Sequence, residues 1–329
     1  MGISREQSLE CFQSNDLIGI GMEADAVRLR LHPEGVVSYA VEGAIRLRTS
    51  DSSIEELCAA IRETVEQGST GVRLVSGTGS EGQVCGIEWF EGILRGIRQR
   101  LPALWIEGPS ATEIVALAED RGYEVRETIA RLRDAGMDSI ASDDAQTQCS
   151  PRCCGTAEWL AVHRAAHGLG MRTVATLRFG AGETLEQRVD FLEAVRQLQE
   201  ETGGFAAFVP VAAQAASGRE LDAVTAVEQL KTLAVARVFL DNIQNIQLNG
   251  ASQGLKVLQM GLRFGANDAG SVTPQGIGAK AGNGASAAGG ENAAAVANSV
   301  NEEDLRRIIR DAGFQPAQRD TSYRMMFLN

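Results

Sequence analysis

Lysine, net positive charge and long apolar runs are all scarce in this chain. Its 329 residues include only three lysines, and 31 basic against 43 acidic residues give a formal charge of −12. A nucleic-acid partner is not expected, because binding to phosphates needs a basic face. No apolar run approaches the roughly 20 residues of a membrane span, and no GxxxxGK[ST] phosphate loop occurs. We expect a cytoplasmic protein with a small-molecule ligand and no membrane contact, and leave a protein partner or a homo-oligomer open.

Cysteine is sparse and uneven along the chain. Three of the six cysteines stand alone, and the other three cluster in CSPRCC as Cys149, Cys153 and Cys154. In a cytoplasmic protein such cysteines are expected to be free thiols. Adjacent cysteines point in different directions and chelate one metal poorly, so a structural role is favoured for this cluster. A redox role and a metal site remain open alternatives for it.

Helical and extended segments alternate from residue 36 to about 270, in eight βα units. One helix is predicted in SSIEELCAAIRETVEQG, with Ser53 as its N-cap and Gly68 as its stop. Such alternation predicts an α/β fold, a closed parallel (β/α)8 barrel of the TIM type. An open doubly wound sheet is the alternative, weakened by the lack of GxGxxG after the first strand. The predicted division is an N-terminal helical extension (1–35), the barrel (36–273), a flexible Gly/Ala-rich insert (274–299), and a C-terminal helix with a tail packing on the barrel (300–329).

Functional residues of such a barrel gather where its strands end. Carboxylates at these ends are candidate catalytic acids or bases: Glu107, Asp143, Asp144 and Asp268. Other polar residues there are candidates for substrate binding: Arg46, Arg48, Ser76, Thr78, Arg178, Gln214, Asn249 and Asn267.

Arg46 and Arg48 have equal parity on the first strand, so both side chains are expected to face the barrel mouth. A guanidinium pair suits a carboxylate or a phosphate through two-point hydrogen bonds. The alternative is that both arginines pair with acidic residues of the same rim.

Several segments resemble the futalosine-pathway radical S-adenosylmethionine (SAM) enzymes of menaquinone biosynthesis and their deazaflavin-forming relatives. They include EWLAVHRAAHGLGMRTVATLRFG, ETGGF, LRFGANDAGS and the terminal RDTSY. The resemblance covers nearly the whole chain, apart from the Gly/Ala-rich insert. It implies a barrel whose first strand leads into a CxxxCxxC loop, where three thiolates hold a [4Fe–4S] cluster and SAM binds the fourth iron.

This chain departs from that pattern at the first strand. The strand reads EGAIRLRT (42–49), and no cysteine follows until Cys58, inside the next predicted helix. We therefore expect no [4Fe–4S] cluster and no required cofactor, with residual SAM or nucleoside binding left open. His163 and His167 share a helix face, but HRAAH lacks the glutamate of HExxH, and no metal site is assigned. Asn267 and Asp268 match the family, which favours them as retained substrate contacts.

Three hypotheses follow from these residues. The first is a pseudoenzyme-like homologue that binds an anionic nucleoside-like or chorismate-derived molecule at the barrel mouth. The second is an enzyme using cluster-free acid–base chemistry on a related substrate. The third is a radical SAM enzyme whose cluster ligands have moved, for example to the CSPRCC cysteines.

Overall fold

A computed structural model of the chain describes residues 2–47, 53–76, 86–142, 155–213, 224–250, 254–272 and 300–328. The strands in these ranges are β1 (Val36–Leu47), β2 (Gly71–Ser76), β3 (Trp105–Ser110), β4 (Ser139–Ala141), β5 (Thr173–Phe179), β6 (Phe205–Ala212), β7 (Asn245–Ile246), β8 (Asp268–Val272), β9 (Gln315–Arg319) and β10 (Met325–Leu328). The helices are α1 (Arg5–Gln13), α2 (Leu17–Leu31), α3 (Ile54–Glu66), α4 (Ile87–Arg100), α5 (Ala111–Arg121), α6 (Val125–Ala135), α7 (Thr156–His167), α8 (Leu185–Thr202), α9 (Ala226–Phe239), α10 (Leu255–Gly261) and α11 (Glu302–Asp311).

Strands β1 to β8 form a curled parallel sheet in the order of a barrel. One ladder runs β1-β2-β3-β4, with β8 on the other edge of β1, and a second runs β5-β6-β7. A parallel bridge between Gln247 and Asp268 links the end of β7 to β8. Helices lie between successive strands, as the alternating sequence pattern requires. The predicted (β/α)8 class is confirmed.

Local sequence signals set the helix ends. The Ser53 hydroxyl accepts a hydrogen bond from the Glu56 backbone N–H, and the Glu56 side chain accepts one from the Ser53 N–H. This capping box satisfies two N–H groups that the first turn would leave without partners. Gly68, just past the helix, has φ +97°, a left-handed conformation that glycine adopts without strain. The predicted start and stop of α3 are confirmed.

The two N-terminal helices cover the outside of the barrel. Helix α1 contacts α8, and α2 lies along α9. Ala24 of α2 is fully buried in this layer, as are Leu233 and Ala236 of α9. Among the described helices, none is long and apolar enough to cross a membrane. The predicted insert at 274–299 lies outside the described residues.

The C-terminal tail joins the sheet itself. Strand β9 runs parallel to the first half of β1, from Val36 beside Gln315 to Ala40 beside Arg319. The second half of β1, from Glu42 to Leu47, pairs with β2. Strand β10 then returns antiparallel to β9. The tail therefore carries the loop between β9 and β10 to the interior side of the barrel, beside β2.

A polar cavity inside the barrel

The barrel contains a small polar cavity of about 20 Å³, room for about one water molecule, which opens towards solvent. Barrel interiors are usually filled by bulky branched side chains. Here the lining is dominated by charged, amide and hydroxyl groups: Glu42, Arg73, Glu107, Ser142, Thr176, Gln247, Ser271, Arg319, Thr321 and Tyr323, with Val174 and Val209 as the apolar part.

Asp268 and Arg319 form a buried ion pair at one side of this cavity. The Arg319 Nε and Nη2 atoms donate to the two Asp268 carboxylate oxygens, at 2.5 and 3.0 Å. The Ser38 hydroxyl (2.5 Å) and the Gly270 N–H (2.9 Å) donate to the same carboxylate. Burial alone would lower the pKa of Arg319, but the Asp268 carboxylate outweighs it, and that pKa is raised. Predicted catalytic residue Asp268 thus has four protein donors, and its catalytic role stays a prediction.

Tyr323 closes the cavity next to this pair. The Arg319 guanidinium lies 3.8 Å from the centre of the Tyr323 ring, and the Tyr323 hydroxyl donates to Gln247 Oε1 at 2.6 Å. Burial raises the pKa of Tyr323, although the neighbouring Arg319 lowers it. Tyr323 has φ +64°, an uncommon conformation for a residue other than glycine. The hydrogen bond and the ring contact hold it there.

Glu107, a predicted catalytic residue, lies in the cavity wall. Its carboxylate accepts a hydrogen bond from Arg73 Nε at 3.0 Å. The two residues are direct neighbours across β2 and β3. Glu107 is buried, with 7% of its surface exposed, so the guanidinium stabilises its charged form inside the barrel.

Strand β5 connects the cavity to the barrel mouth. Val174 and Thr176 line the cavity, and side chains two residues apart point to the same face of a strand. Arg178, predicted to bind substrate, is the next residue on that face and is half-buried towards the end of β5. Its position along the strand is therefore one step nearer the mouth than the β5 residues that line the cavity.

Two other predicted substrate residues occupy different surroundings. Asn267 is buried, and its amide oxygen accepts from Arg237 Nη2 (2.6 Å) and from the Ile246 N–H (2.9 Å). Its amide nitrogen donates to Asn245 Oδ1 at 2.9 Å. Asn249 is half-buried beside Gly270. Contact of either residue with a substrate stays a prediction.

The remaining predicted site residues cannot be assigned to the cavity. Arg46 lies in β1 opposite Val75 and Ser76 ends β2, but their side chains are outside the described part of the chain. Also outside the described residues are Arg48, Thr78, Asp143, Asp144, Gln214 and the CSPRCC cysteines.

His163 and His167 belong to a hydrogen-bonded chain on the outer face of the barrel. Thr202 Oγ1 donates to the Leu198 carbonyl at 2.7 Å, so it accepts from His167 Nδ1, also at 2.7 Å. His167 Nε2 is then the acceptor for Thr173 Oγ1 at 2.9 Å, and that hydroxyl accepts from His163 Nδ1 at 2.8 Å. Burial lowers the pKa of His163 to about 3 and that of His167 to about 4. Both rings are neutral structural groups.

Several cavity residues were missed by sequence reasoning. Glu42 and Arg73 lie in the middle of strands, whereas the residues predicted from sequence are those at strand ends. Gln247 follows a strand of only two residues, and Arg319 and Tyr323 come from the tail that was predicted to pack on the barrel. Charged residues within apolar strands, as in AVEGAI and GVRLV, were the available signal for Glu42 and Arg73.

Comparison with known proteins identifies the family. Residues 202–328 match the family model described as the CofH/MqnC C-terminal region. Cyclic dehypoxanthine futalosine synthase of Streptomyces coelicolor is 30% identical over 98% of this chain and 85% of that enzyme. The chain belongs to the futalosine-pathway radical SAM family. The resemblance predicted from sequence is confirmed.

Two further relatives belong to the same group. Aminodeoxyfutalosine synthase of Thermus thermophilus is 29% identical over 98% of this chain and 92% of that enzyme. The 5-amino-6-(D-ribitylamino)uracil–L-tyrosine 4-hydroxyphenyl transferase of Archaeoglobus fulgidus is 30% identical over 83% of this chain and 79% of that enzyme.

Solved structures show the same fold at low identity. The FeFe-hydrogenase maturase HydG of Carboxydothermus hydrogenoformans aligns with a TM-score of 0.69 at 14% identity, over 98% of this chain and 78% of that one. Methylornithine synthase (PylB) aligns with a TM-score of 0.65 at 12% identity, over 96% and 95%. At this identity the two structures establish the barrel architecture alone.

The family membership corrects the expectation about cofactors. The homologues are radical SAM enzymes that bind a [4Fe–4S] cluster and SAM, so the prediction that no cofactor is required is wrong. The first-strand junction itself does not fit the cluster. Cys58 is fully buried in α3, burial raises the pKa of its thiol, and no cysteine lies between it and Cys11. Within the described ranges, no group of three metal-binding side chains occurs.

Proposed function

We propose that this chain binds a small anionic molecule, nucleoside-like or chorismate-derived, with its charged end at the mouth of the barrel. The observation that carries this proposal is the position of Arg178. It continues the face of β5 that lines the polar cavity, one step closer to the mouth. A guanidinium in such a position suits a carboxylate or a phosphate, to which it can donate two parallel hydrogen bonds.

The family supports the nucleoside-like part of the proposal. Two relatives are named for futalosine compounds, and a third for a ribitylamino-substituted uracil. The scaffold that these enzymes share is retained here along almost the whole chain, which supports a related ligand class. The side chains of the site, and not the fold, must carry this assignment. Cytoplasmic location, expected from the sequence, is part of the same proposal.

We further infer that the first-strand junction of this chain does not hold the family's cluster. The junction lacks cysteines in the sequence, and the Sγ atom of Cys58 faces the Gly96 carbonyl within the helical layer. Iron and acid-labile sulfide after anaerobic reconstitution should be equal in the unmodified protein and in Cys58→Ser. Loss of iron in Cys58→Ser would contradict the inference. A triple serine variant of Cys149, Cys153 and Cys154 tests whether the cluster has moved to CSPRCC.

Ligand binding is tested by the thermal stability of the reconstituted protein with three probes. Chorismate and adenosine 5′-monophosphate are anionic, and adenosine is the uncharged comparison. A ligand that binds the folded state raises Tm in proportion to the logarithm of its concentration. We expect at least one anionic probe to raise Tm, and Arg178→Gln to weaken its apparent affinity about tenfold or more, the loss of one charged hydrogen bond.

Arg30→Gln is the matched control, because Arg30 is exposed on α2, outside the barrel. It should retain the full response to the anionic probes. The Arg46→Gln/Arg48→Gln double variant tests the two first-strand arginines in the same way. Absence of any response to both anionic probes, or an equal response in Arg178→Gln, would overturn the proposal.

A further inference from the structure

One carboxylate in the cavity has no full counter-charge among the described residues. Glu107 is paired with Arg73, and Asp268 with Arg319. Glu42 has only Arg319 Nη1, at 3.8 Å, and that guanidinium is already bound in two places by Asp268. Of these three carboxylates, Glu42 is therefore the one without an ion pair closer than 3.5 Å in the described part of the chain.

The described surroundings of Glu42 leave its carboxylate without a close partner. Its side chain is only 14% exposed. The part of the chain that the structure describes supplies it with no hydrogen bond within 3.5 Å. A carboxylate that lines a cavity without a hydrogen bond from the protein can accept one from a bound group. The cavity thus offers acceptor capacity that its own described side chains do not use.

Thr176 provides an independent indication from another wall of the cavity. Its residue surface is 7% exposed, and its Oγ1 atom is buried without a hydrogen-bond partner in the described structure. Threonine in a strand is common, but a buried hydroxyl without a partner is an exception that needs a reason. Because Thr176 and Glu42 line the same cavity, one bound group can satisfy both.

We propose that the deep end of the cavity is a subsite for a hydrogen-bond-donating, non-anionic group of the ligand, a hydroxyl or an amino group, held between Glu42 and Thr176. Two acceptor groups without a donor among the described residues, Glu42 and Thr176, favour a donor over a carboxylate or phosphate at this end. This inference rests on the proposed function for the identity of the ligand, and it adds the ligand's orientation. The anionic end lies towards Arg178, and the donor end points inward.

The polarity of the subsite can be measured without any ligand. Thr176→Cys places a thiol at the subsite. The labelling rates of this thiol by two methanethiosulfonate reagents that differ in charge are then compared. One carries an aminoethyl group and is cationic, and the other carries a sulfonatoethyl group and is anionic. Each forms a mixed disulfide with the thiolate and releases methanesulfinate. Rates at residue 176 are read by peptide mass spectrometry and divided by each reagent's rate with 2-mercaptoethanol.

The normalised rate should be at least about tenfold higher for the cationic reagent. Adding Glu42→Gln should reduce this preference about fivefold to tenfold, because one negative charge near the thiol is removed. Glu200→Gln in the same background is the control, since Glu200 is exposed on α8, and it should leave the preference unchanged. The unfolding transition of each variant is compared with that of the parent, and Ser271→Cys replaces Thr176→Cys if the latter does not fold.

Equal normalised rates for the two reagents would overturn the subsite, as would a preference that survives Glu42→Gln. Absence of labelling by either reagent would overturn it too, because the cavity would then be closed to ligand groups. The experiment separates this inference from the proposed function. The anionic probes can fail to raise Tm while the thiol at residue 176 still prefers the cationic reagent. Conversely, the probes can raise Tm while the thiol shows no preference. If the cationic reagent is preferred, the labelling is repeated with adenosine present. Adenosine hydroxyls bound at the subsite should lower the labelling rates of both reagents.

Discussion

The Asp268 carboxylate at the start of β8 accepts two hydrogen bonds from Arg319 at the end of β9, 51 residues further along the chain. The pair fastens the C-terminal tail to the interior of the barrel. Arg319 also stacks on Tyr323 and approaches Gln247 Oε1 at 3.4 Å. The tail therefore forms part of the cavity wall and is more than an external covering.

Replacing Asp268 by Asn should strongly destabilise the protein. Both partners are buried, at 0% and 3% side-chain exposure, so the variant leaves the Arg319 charge without its counter-ion. Breaking a buried pair from one side costs about 3–5 kcal/mol of unfolding free energy. Urea denaturation of the purified variant measures the loss.

Glu201→Gln is the control for that experiment. It breaks the exposed pair between Glu201 and Arg164, in which both side chains are 51% exposed. Exposed pairs contribute about 0–1 kcal/mol. Similar losses in the two variants would show that Asp268 does not anchor the tail.

Gly71→Ala should weaken the seating of the tail from the opposite side. A Cβ atom at residue 71 would lie 2.2 Å from Thr321 Oγ1 and 3.2 Å from the Trp105 carbonyl oxygen. The Thr321 segment must shift, and overpacking of this kind costs about 1–3 kcal/mol. Chemical denaturation and protease sensitivity near the C-terminus report the change.

Gly92→Ala is the matched substitution for Gly71→Ala. Gly92 lies in α4, and a Cβ there would have no neighbour within 4 Å. Alanine should therefore stabilise the helix by about 0.5–1 kcal/mol. If Gly71→Ala were as stable as the parent, the contact between Gly71 and the tail would be unimportant.

Mild acid should destabilise the fold through the two buried histidines. Their pKa values, about 3 for His163 and about 4 for His167, lie below the value near 6.5 of an unfolded histidine. Between these values the unfolded state binds more protons, so the unfolding free energy falls as the pH falls. Each histidine contributes up to about 1.4 kcal/mol per pH unit.

The pH dependence is read from urea midpoints between pH 7 and pH 5, above the range in which most carboxylates titrate. His163→Asn should reduce the slope in that window, whatever its effect on the absolute stability. The slope between pH 8 and pH 9 serves as the internal reference and should be equal in both proteins. An unchanged slope below pH 7 would mean that His163 is not held neutral in the folded state.

The barrel could be predicted from local sequence signals. The position of the C-terminal tail could not, because it depends on pairing between strands that are far apart in the chain. The Ser53 cap, the Gly68 stop and the alternation of helices and strands all act within a few residues, so the sequence displays them directly. Strand β9 reads QPAQR and has no apolar alternation. Its strand conformation comes from pairing with β1, some 280 residues away in the chain, and the position of Arg319 in the cavity depends on that pairing.

The same limit applies to the residues that line the cavity. Arg178 and Glu107 were both predicted as strand-end residues; Arg178 lies towards the end of β5, whereas Glu107 lies inside β3, opposite Arg73. A charged residue within an apolar strand was a signal for Glu42, but no single segment shows that Glu42 and Thr176 line one cavity. Their partners in space lie on other strands and on the tail.

The most direct test of the site is a crystal structure with adenosine 5′-monophosphate or chorismate bound. We expect the phosphate or carboxylate within hydrogen-bond distance of the Arg178 guanidinium. Hydroxyl groups of the ligand should lie against Glu42 and Thr176, deeper in the barrel. A ligand bound outside the barrel, or with its anionic group against Glu42, would contradict the proposed function and the proposed orientation respectively.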